Sequence, residues 1–214
     1  LAENTVGYWN LVEMASKAFT EGYYYKPRID YELLKKYSEG IIALSGCLGG
    51  EIAQLLAPDG SVEEGNQGQT RSFDDALKKA EFYQSIFGEK NFFIELHKHG
   101  IKQQEDILPD LLKISEKLSA PLVAANDSHY VHSDDASAHD ALLCVQTNAT
   151  LDDENRFKFD GSGFYIKSSE EMRDLFPNEK FPDACNNTLK ILDRVEYEFE
   201  KDTYYLPDFP IDDS

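Results

Sequence analysis

Long apolar runs are missing from this sequence. None approaches the roughly 20 residues of a membrane-spanning helix, and no charged-then-apolar leader opens the chain, so nothing points to a membrane or to secretion. Cysteine is scarce. Cys47, Cys144 and Cys185 are odd in number and far apart, which predicts free thiols in a reducing compartment rather than a disulfide framework. Basic charge is short as well: 21 lysines and arginines stand against 40 aspartates and glutamates, a formal net charge of −19. So acidic a surface repels phosphate backbones, which argues against a free-standing nucleic-acid-binding module. Any contact with DNA then needs a bound metal or another part of a larger protein to supply positive charge. The plainer reading of the acidity is solubility. There is no internal repeat, no P-loop and no dinucleotide fingerprint. An opening methionine is lacking too, and the end is Asp-Asp-Ser after a proline-rich stretch, so the chain reads as a piece of something longer.

What is present is enough apolar material for a globular core. Hydrophobic residues make up 41% of the 214, and aromatics 12%. Asn4 or Thr5 caps a predicted helix through Phe19 that stops at Gly22, and Asp30 caps a shorter one closed by Gly40. Between them, Tyr23-Tyr24-Tyr25 is expected to pack over the core edge. Ile41–Leu44 reads as a buried strand, followed by a glycine-rich turn carrying Cys47 and a helix through Leu56. Residues 57–71 form a polar, glycine-rich stretch expected to be a mobile insertion. Ser72 with Asp75 resembles a capping box before a helix ending at Gly88. Asn91–Leu96 is the next strand, Gln103–Leu118 a helix with Pro109 in its first turns, and Leu122–Ala125 a third strand. Strands alternating with helices of this length indicate an α/β fold with a parallel sheet or barrel.

All three strands carry metal-ligand residue types at the same end. Cys47 follows the first, His97 and His99 follow the second, and Asp127 and His129 follow the third. Residues two apart in extended backbone share a side, so Asp127 and His129 are expected to project together, where α/β sheets place their ligand sites. A carboxylate, an imidazole and a thiolate suit a divalent metal. The plainer alternatives are that Asp127 caps the next helix, that His129 is a loop residue and that Cys47 is a small buried hydrophobe. Farther on, Ser133 or Asp134 opens a helix carrying His139, residues 148–165 form a polar loop dotted with aromatics, and Ser168–Glu171 starts another helical region. After Pro182 comes an amphipathic helix with Ala184, Leu189, Ile191 and Leu192, and the end from Tyr204 to Pro210 is extended because its prolines forbid helix.

The segments LSGCLGGEI (Leu44–Ile52), FFIELHKHG (Phe92–Gly100), AANDSHYV (Ala124–Val131), HDALLCVQT (His139–Thr147) and FYIKSSEEM (Phe164–Met172) strongly resemble the amino-terminal region of the bacterial replicative DNA polymerase III alpha subunit. ENTVGYWNLV and YYLPDFP are similar to that family too, so the match spans nearly all of the chain except Ala57–Arg71. The resemblance implies a PHP domain, a distorted (β/α)7 barrel that binds up to three zinc or manganese ions at the strand carboxyl ends. It implies that Cys47, Asp127 and His129 are metal ligands. His97 and His99 have no ligand role by that resemblance, and rank as residues around the ligands or on the surface. The family's early ligands, beginning with an H-x-H motif, would lie before Leu1, and the polymerase's catalytic aspartates and their magnesium far downstream. The expectation is therefore a partial barrel with an exposed edge: residues 1–147 the later part of the PHP domain, and 148–214 its end and the connection toward the palm, mainly helical and extended.

By the same resemblance, the larger protein is a cytoplasmic DNA-directed DNA polymerase working on DNA with deoxynucleoside triphosphates. Its partners would be replisome subunits, among them a proofreading exonuclease subunit and a sliding clamp. The PHP domain would be a metal-binding structural module with scope for 3′→5′ exonuclease activity, and the fragment alone inactive. The alternatives are a phosphoesterase of histidinol-phosphatase type, and a purely structural or partner-binding module.

Overall fold

Capping places the first two helices. Asn4 accepts a hydrogen bond from the Gly7 amide and starts α1 (Thr5–Thr20), and Asp30 accepts from Leu33 and starts α2 (Tyr31–Lys36). In this computed structural model the described residues are 1–57, 71–159, 161–199, 201, 203, 204 and 206. The expected insertion lies almost wholly outside the described residues, and so does most of the expected extended end from Tyr204 to Pro210.

The loop between α1 and α2 departs from expectation. Tyr23, Tyr24 and Tyr25 are exposed rather than packed on the core edge. Tyr24 bridges to Lys26 and Tyr25 takes a left-handed φ of 58°, which turns the tip outward, and the Tyr24 and Tyr25 rings pack on each other at 4.6 Å.

Three parallel strands follow, β1 (Ala43–Leu44), β2 (Phe92–Leu96) and β3 (Leu122–Ala124), in the spatial order β1-β2-β3. Ala43 pairs with Phe92 and Ile94 with Leu122. The expected first strand is shorter because Ile41 and Ile42 pair elsewhere. The Ile42 amide donates to Leu1 O at 2.9 Å, the Leu1 amino group donates to Ile42 O at 2.7 Å, and Ala2 bridges Ile41 antiparallel. The edge expected to be exposed is thus covered in part by the first residues of the chain.

Between the strands run α3 (Glu51–Leu56), α4 (Phe73–Phe87) and α5 (Lys102–Leu118). Ser72 caps α4 as read, and Gly88 ends it at φ 86°. Pro109 lies well inside α5 rather than in its first turns. Both Pro109 and Glu105, whose carbonyl loses its partner there, are exposed, so water can serve that carbonyl. Glu51 joins three helices: it accepts from Tyr31 and Tyr83 at 2.7 Å each and pairs with Lys79 at 3.1 Å. Burial together with the Glu51 carboxylate pushes the Tyr83 hydroxyl well above its ordinary range.

Parallel strands bury both faces. Phe92, Ile94 and Leu96 enter the larger core with Ile52, Leu56 and Ile114, whereas Phe93 packs with Ile42, Val123 and Ile191 on the other side. The later part of the chain completes both. A 3₁₀ turn at Ser133–Asp135 leads into α6 (Ala136–Thr147), so the helix opens slightly later than Ser133 or Asp134 suggested. Then come α7 (Ser169–Leu175), with Ser168 and Glu171 in a capping box, and α8 (Asn186–Leu192). Ala184 lies before α8, not on it, and Leu189 and Leu192 are exposed; Asn187 and Ile191 form the buried side. Asn187 donates to Leu122 O at 2.7 Å, and the Ala124 amide to Ala184 O at 3.0 Å. Arg194 reaches back to Glu3 at 2.8 Å. Among the described residues, no helix is long and apolar enough to cross a membrane.

Candidate metal centre

Asp127 and His129 do meet beyond β3, but not by the route that strand geometry suggested. The strand stops at Ala124, and Asp127 takes a left-handed φ of 45°, so the two residues are not successive positions of one extended segment. Their side chains nevertheless approach, Oδ1 to Nε2, at 3.3 Å, both partly exposed. Asp127 caps no helix; the turn that follows has His132 at its N-cap and α6 has Asp135.

Two ligands about 2.0–2.1 Å from a tetrahedral zinc ion stand roughly 3.3 Å apart. The carboxylate and imidazole therefore fit one edge of a metal's coordination sphere. Cys47 sits in the glycine-rich turn after β1, exposed rather than buried. Among the described residues, no group of three or more His, Cys, Asp or Glu side chains is gathered closely enough to hold a metal ion, so Cys47 does not join the pair in such a cluster. The other cysteines are also free thiols, Cys144 buried and Cys185 half-buried.

His97 and His99 are buried, not on the surface. Their rings lie 5.6 Å apart beside the sheet end. His97 Nε2 meets Glu95 Oε1 at 3.0 Å, while its Nδ1 is buried without a hydrogen-bond partner. Glu95 also holds the turn that carries Cys47: it accepts from the Gly46 amide at 3.1 Å, and its own amide donates to Ser45 Oγ at 2.9 Å. His99 is fully engaged, by Gln104 at Nδ1 (2.9 Å) and by the Asn126 carbonyl at Nε2 (2.8 Å).

Residues that sequence reasoning left as loop or scaffold complete the surroundings. Phe164 stacks on His99 at 4.4 Å and 12°, Phe159 on Phe164 at 4.8 Å, and His139 of α6 on Phe159 at 5.2 Å and 3°. The His129 ring is 4.6 Å from Phe159. The 148–165 loop is brought there by backbone pairing, the His129 amide donating to Phe164 O at 2.8 Å, and by Arg156, which clasps Asp140 at 2.5 and 2.7 Å. The only trace of this in the sequence is the aromatic dotting of the loop.

Burial is the main reason the His99 imidazole has a lowered pKa, with the neighbouring His97 and Lys167 acting in the same direction and the Asn126 carbonyl opposing. The unfolded chain takes up this proton first, so His99 costs the fold nothing above its ordinary value of 6.5 and destabilises it as the pH falls below that. The carboxylates with lowered values, Glu51, Asp75, Asp110, Asp140, Asp153, Glu171 and Asp183, withdraw their stabilisation only at lower pH, below the ordinary 4.5 of a glutamate and 3.8 of an aspartate. The melting temperature should therefore drop between pH 6.5 and 4.5, and His99→Gln should reduce that drop. An equal pH slope in the variant would assign the loss elsewhere.

Comparison with known proteins agrees with this architecture. Residues 1–99 match the PHP domain, a stretch that includes Cys47, His97 and His99 but not Asp127 or His129. DNA polymerase III subunit alpha of Saccharopolyspora erythraea is 47% identical over 92% of the chain, that of Deinococcus radiodurans 44% over 99%, and that of Thermus aquaticus 40% over 99%. The chain spans about one sixth of the length of these relatives, 15%, 15% and 17% respectively. A mixed α/β chain with a small parallel sheet, matched in this way along nearly its whole length, belongs to the PHP-domain family, in the form carried by DNA polymerase III alpha subunits.

Proposed function

We propose that this chain is the metal-binding PHP module of a DNA polymerase III alpha subunit, part of a cytoplasmic enzyme that copies DNA from deoxynucleoside triphosphates. The observation that carries the metal reading is the approach of Asp127 to His129 at 3.3 Å beyond the carboxyl end of β3. On this reading they act as ligands and not as general bases, and zinc or manganese is the ion. Cys47 and residues outside this chain would supply the remaining ligands, closing the (β/α)7 barrel of which the three-stranded sheet is a part. Residues 148–214 would end the module and connect it onward. When bound, a divalent ion supplies an activated water and offsets charge on phosphoryl oxygens, the chemistry a 3′→5′ exonuclease needs. This chain's own residues orient that ion: Phe159 and Phe164 shield the imidazole, and Glu95 holds the Cys47 turn. Polymerisation, its magnesium, the proofreading subunit and the clamp belong to the rest of such a protein. The net charge of −19 fits that division, since DNA must be held by other surfaces.

A second reading, a scaffold without metal that supports the polymerase or binds a partner subunit, draws on the absence of a three-ligand group among the described residues. Elemental analysis of the intact protein beside an Asp127→Ala/His129→Ala variant separates the two. Zinc or manganese is expected in the native protein, with about one ion per chain lost in the variant. No metal in either would leave the scaffold reading, and equal metal in both would assign the ion to residues other than Asp127 and His129.

A further inference from the structure

We infer that Gln104 is a positioning residue for Asp127, acting through His99 and the Asn126 carbonyl; the inference rests on the metal reading of Asp127 and His129. The hydrogen bonds settle the proton positions one after another. The His99 amide can only donate, and it donates to Gln104 Oε1 at 2.8 Å. The Gln104 amide nitrogen must then face His99 Nδ1, 2.9 Å away, and it can only donate there. Nδ1 is therefore the bare nitrogen and Nε2 carries the proton, which goes to the Asn126 carbonyl at 2.8 Å. Gln104 and His99 are 5% and 4% exposed, so each lost partner would leave a polar group dry.

Asn126 is held from its other side as well. Its Nδ2 donates to Tyr165 O at 2.7 Å and to Ser128 Oγ at 2.8 Å, and its Oδ1 accepts from Lys167 at 3.0 Å. With the peptide after Asn126 fixed, Asp127 is kept in the left-handed backbone that side chains seldom adopt, and that backbone aims its carboxylate at His129. His99, with both ring nitrogens used, is in this arrangement a support for the pair rather than a third ligand.

The test uses the intact protein and Gln104→Leu, which keeps the volume and removes both hydrogen bonds, with Gln104→Glu as the conservative variant. A glutamate there can hold a protonated imidazole whose Nε2 still donates to Asn126. Two quantities are read: cobalt(II) affinity from its visible absorption, and the Asp127 Cα and Cβ chemical shifts without metal, which report its backbone. Gln104→Leu should weaken cobalt binding about 10-fold or more and move the Asp127 shifts away from left-handed values, and Gln104→Glu should restore both. Gln104→Ser, which leaves room for water, stands in if Gln104→Leu does not fold. Unmoved Asp127 shifts in the leucine or serine variant would overturn the inference, whatever the metal does. If the native protein binds no cobalt, the metal reading fails by itself, and the shifts still decide whether Gln104 sets the Asp127 backbone.

Discussion

Gly7→Ala is expected to lower the melting temperature of the 214-residue chain by roughly 6–12 °C, although alanine is the better helix former. Gly7 lies in the first turn of α1 with its α-carbon against the Gly40 backbone. A Cβ there would sit 1.7 Å from Gly40 O and 2.5 Å from Gly40 C. Both atoms are main chain, so no rotamer relieves the overlap and α1 must shift as a unit. The shift would strain the Glu3 amide to Gly40 O bond at 2.8 Å and the Asn10 side-chain bond to Glu39 O at 2.9 Å, which dock α1 beside the Ile41–Ile42 segment. We set the clash at about 4 kcal/mol and the helix-propensity gain at about 1 kcal/mol, leaving about 3 kcal/mol of destabilisation. Gly40→Ala should be no milder, because Gly40 has a φ of 68° and its own Cβ would lie 2.6 Å from Gly7 N. Thermal unfolding followed by circular dichroism measures both. A melting temperature unchanged or raised in Gly7→Ala would show that the two backbones do not touch.

Phe92→Ala should be the most costly truncation on the sheet. Phe92 is 1% exposed, lies on the central strand and stacks at 6.1 Å on Tyr83 of α4. Its removal loses a large apolar contact surface and leaves a cavity between sheet and helices that the neighbouring Ile52 and Leu56 cannot fill without leaving their own positions. Core Phe→Ala changes cost about 3–5 kcal/mol, or roughly 6–20 °C for a chain of this size. Phe93→Ala, one residue on and on the opposite face, opens the smaller cluster with Ile42, Val123 and Ile191 and should cost less. Denaturant unfolding of the two variants gives the order. If Phe93→Ala proves the worse, the larger cluster is not the dominant core.

Much of the fold was legible because its signals act within one turn of chain. The caps Asn4, Asp30, Ser72 and Ser168 bind amides three residues on, and Gly88 terminates its helix by its own φ, so these could be read off the sequence directly. The central and third strands were legible as apolar runs because a parallel sheet buries both faces. The residue types of the candidate site were legible for the same local reason: a thiol, imidazoles and a carboxylate just past strand ends.

Contacts between distant residues were not legible. Local pattern does not show that Leu1 and Ala2 would take up part of the β1 edge, or that the tyrosine loop would turn outward. Asp127 and His129 share a point because Asn126 is held by His99, Lys167 and Tyr165, residues 27 to 41 positions away. Gln104, Glu95 and the Phe159–Phe164 stack look like ordinary helix, strand and loop residues until the sheet brings them together. By itself, then, the sequence determined the α/β class, the helix starts set by the caps Asn4, Asp30, Ser72 and Ser168, and which residue types stand at the strand ends, through hydrogen bonds and burial patterns confined to neighbouring residues. Only the tertiary structure decided which of those groups meet and what holds them, because a side chain's partners across the fold depend on strand order and loop path, which no local spacing encodes.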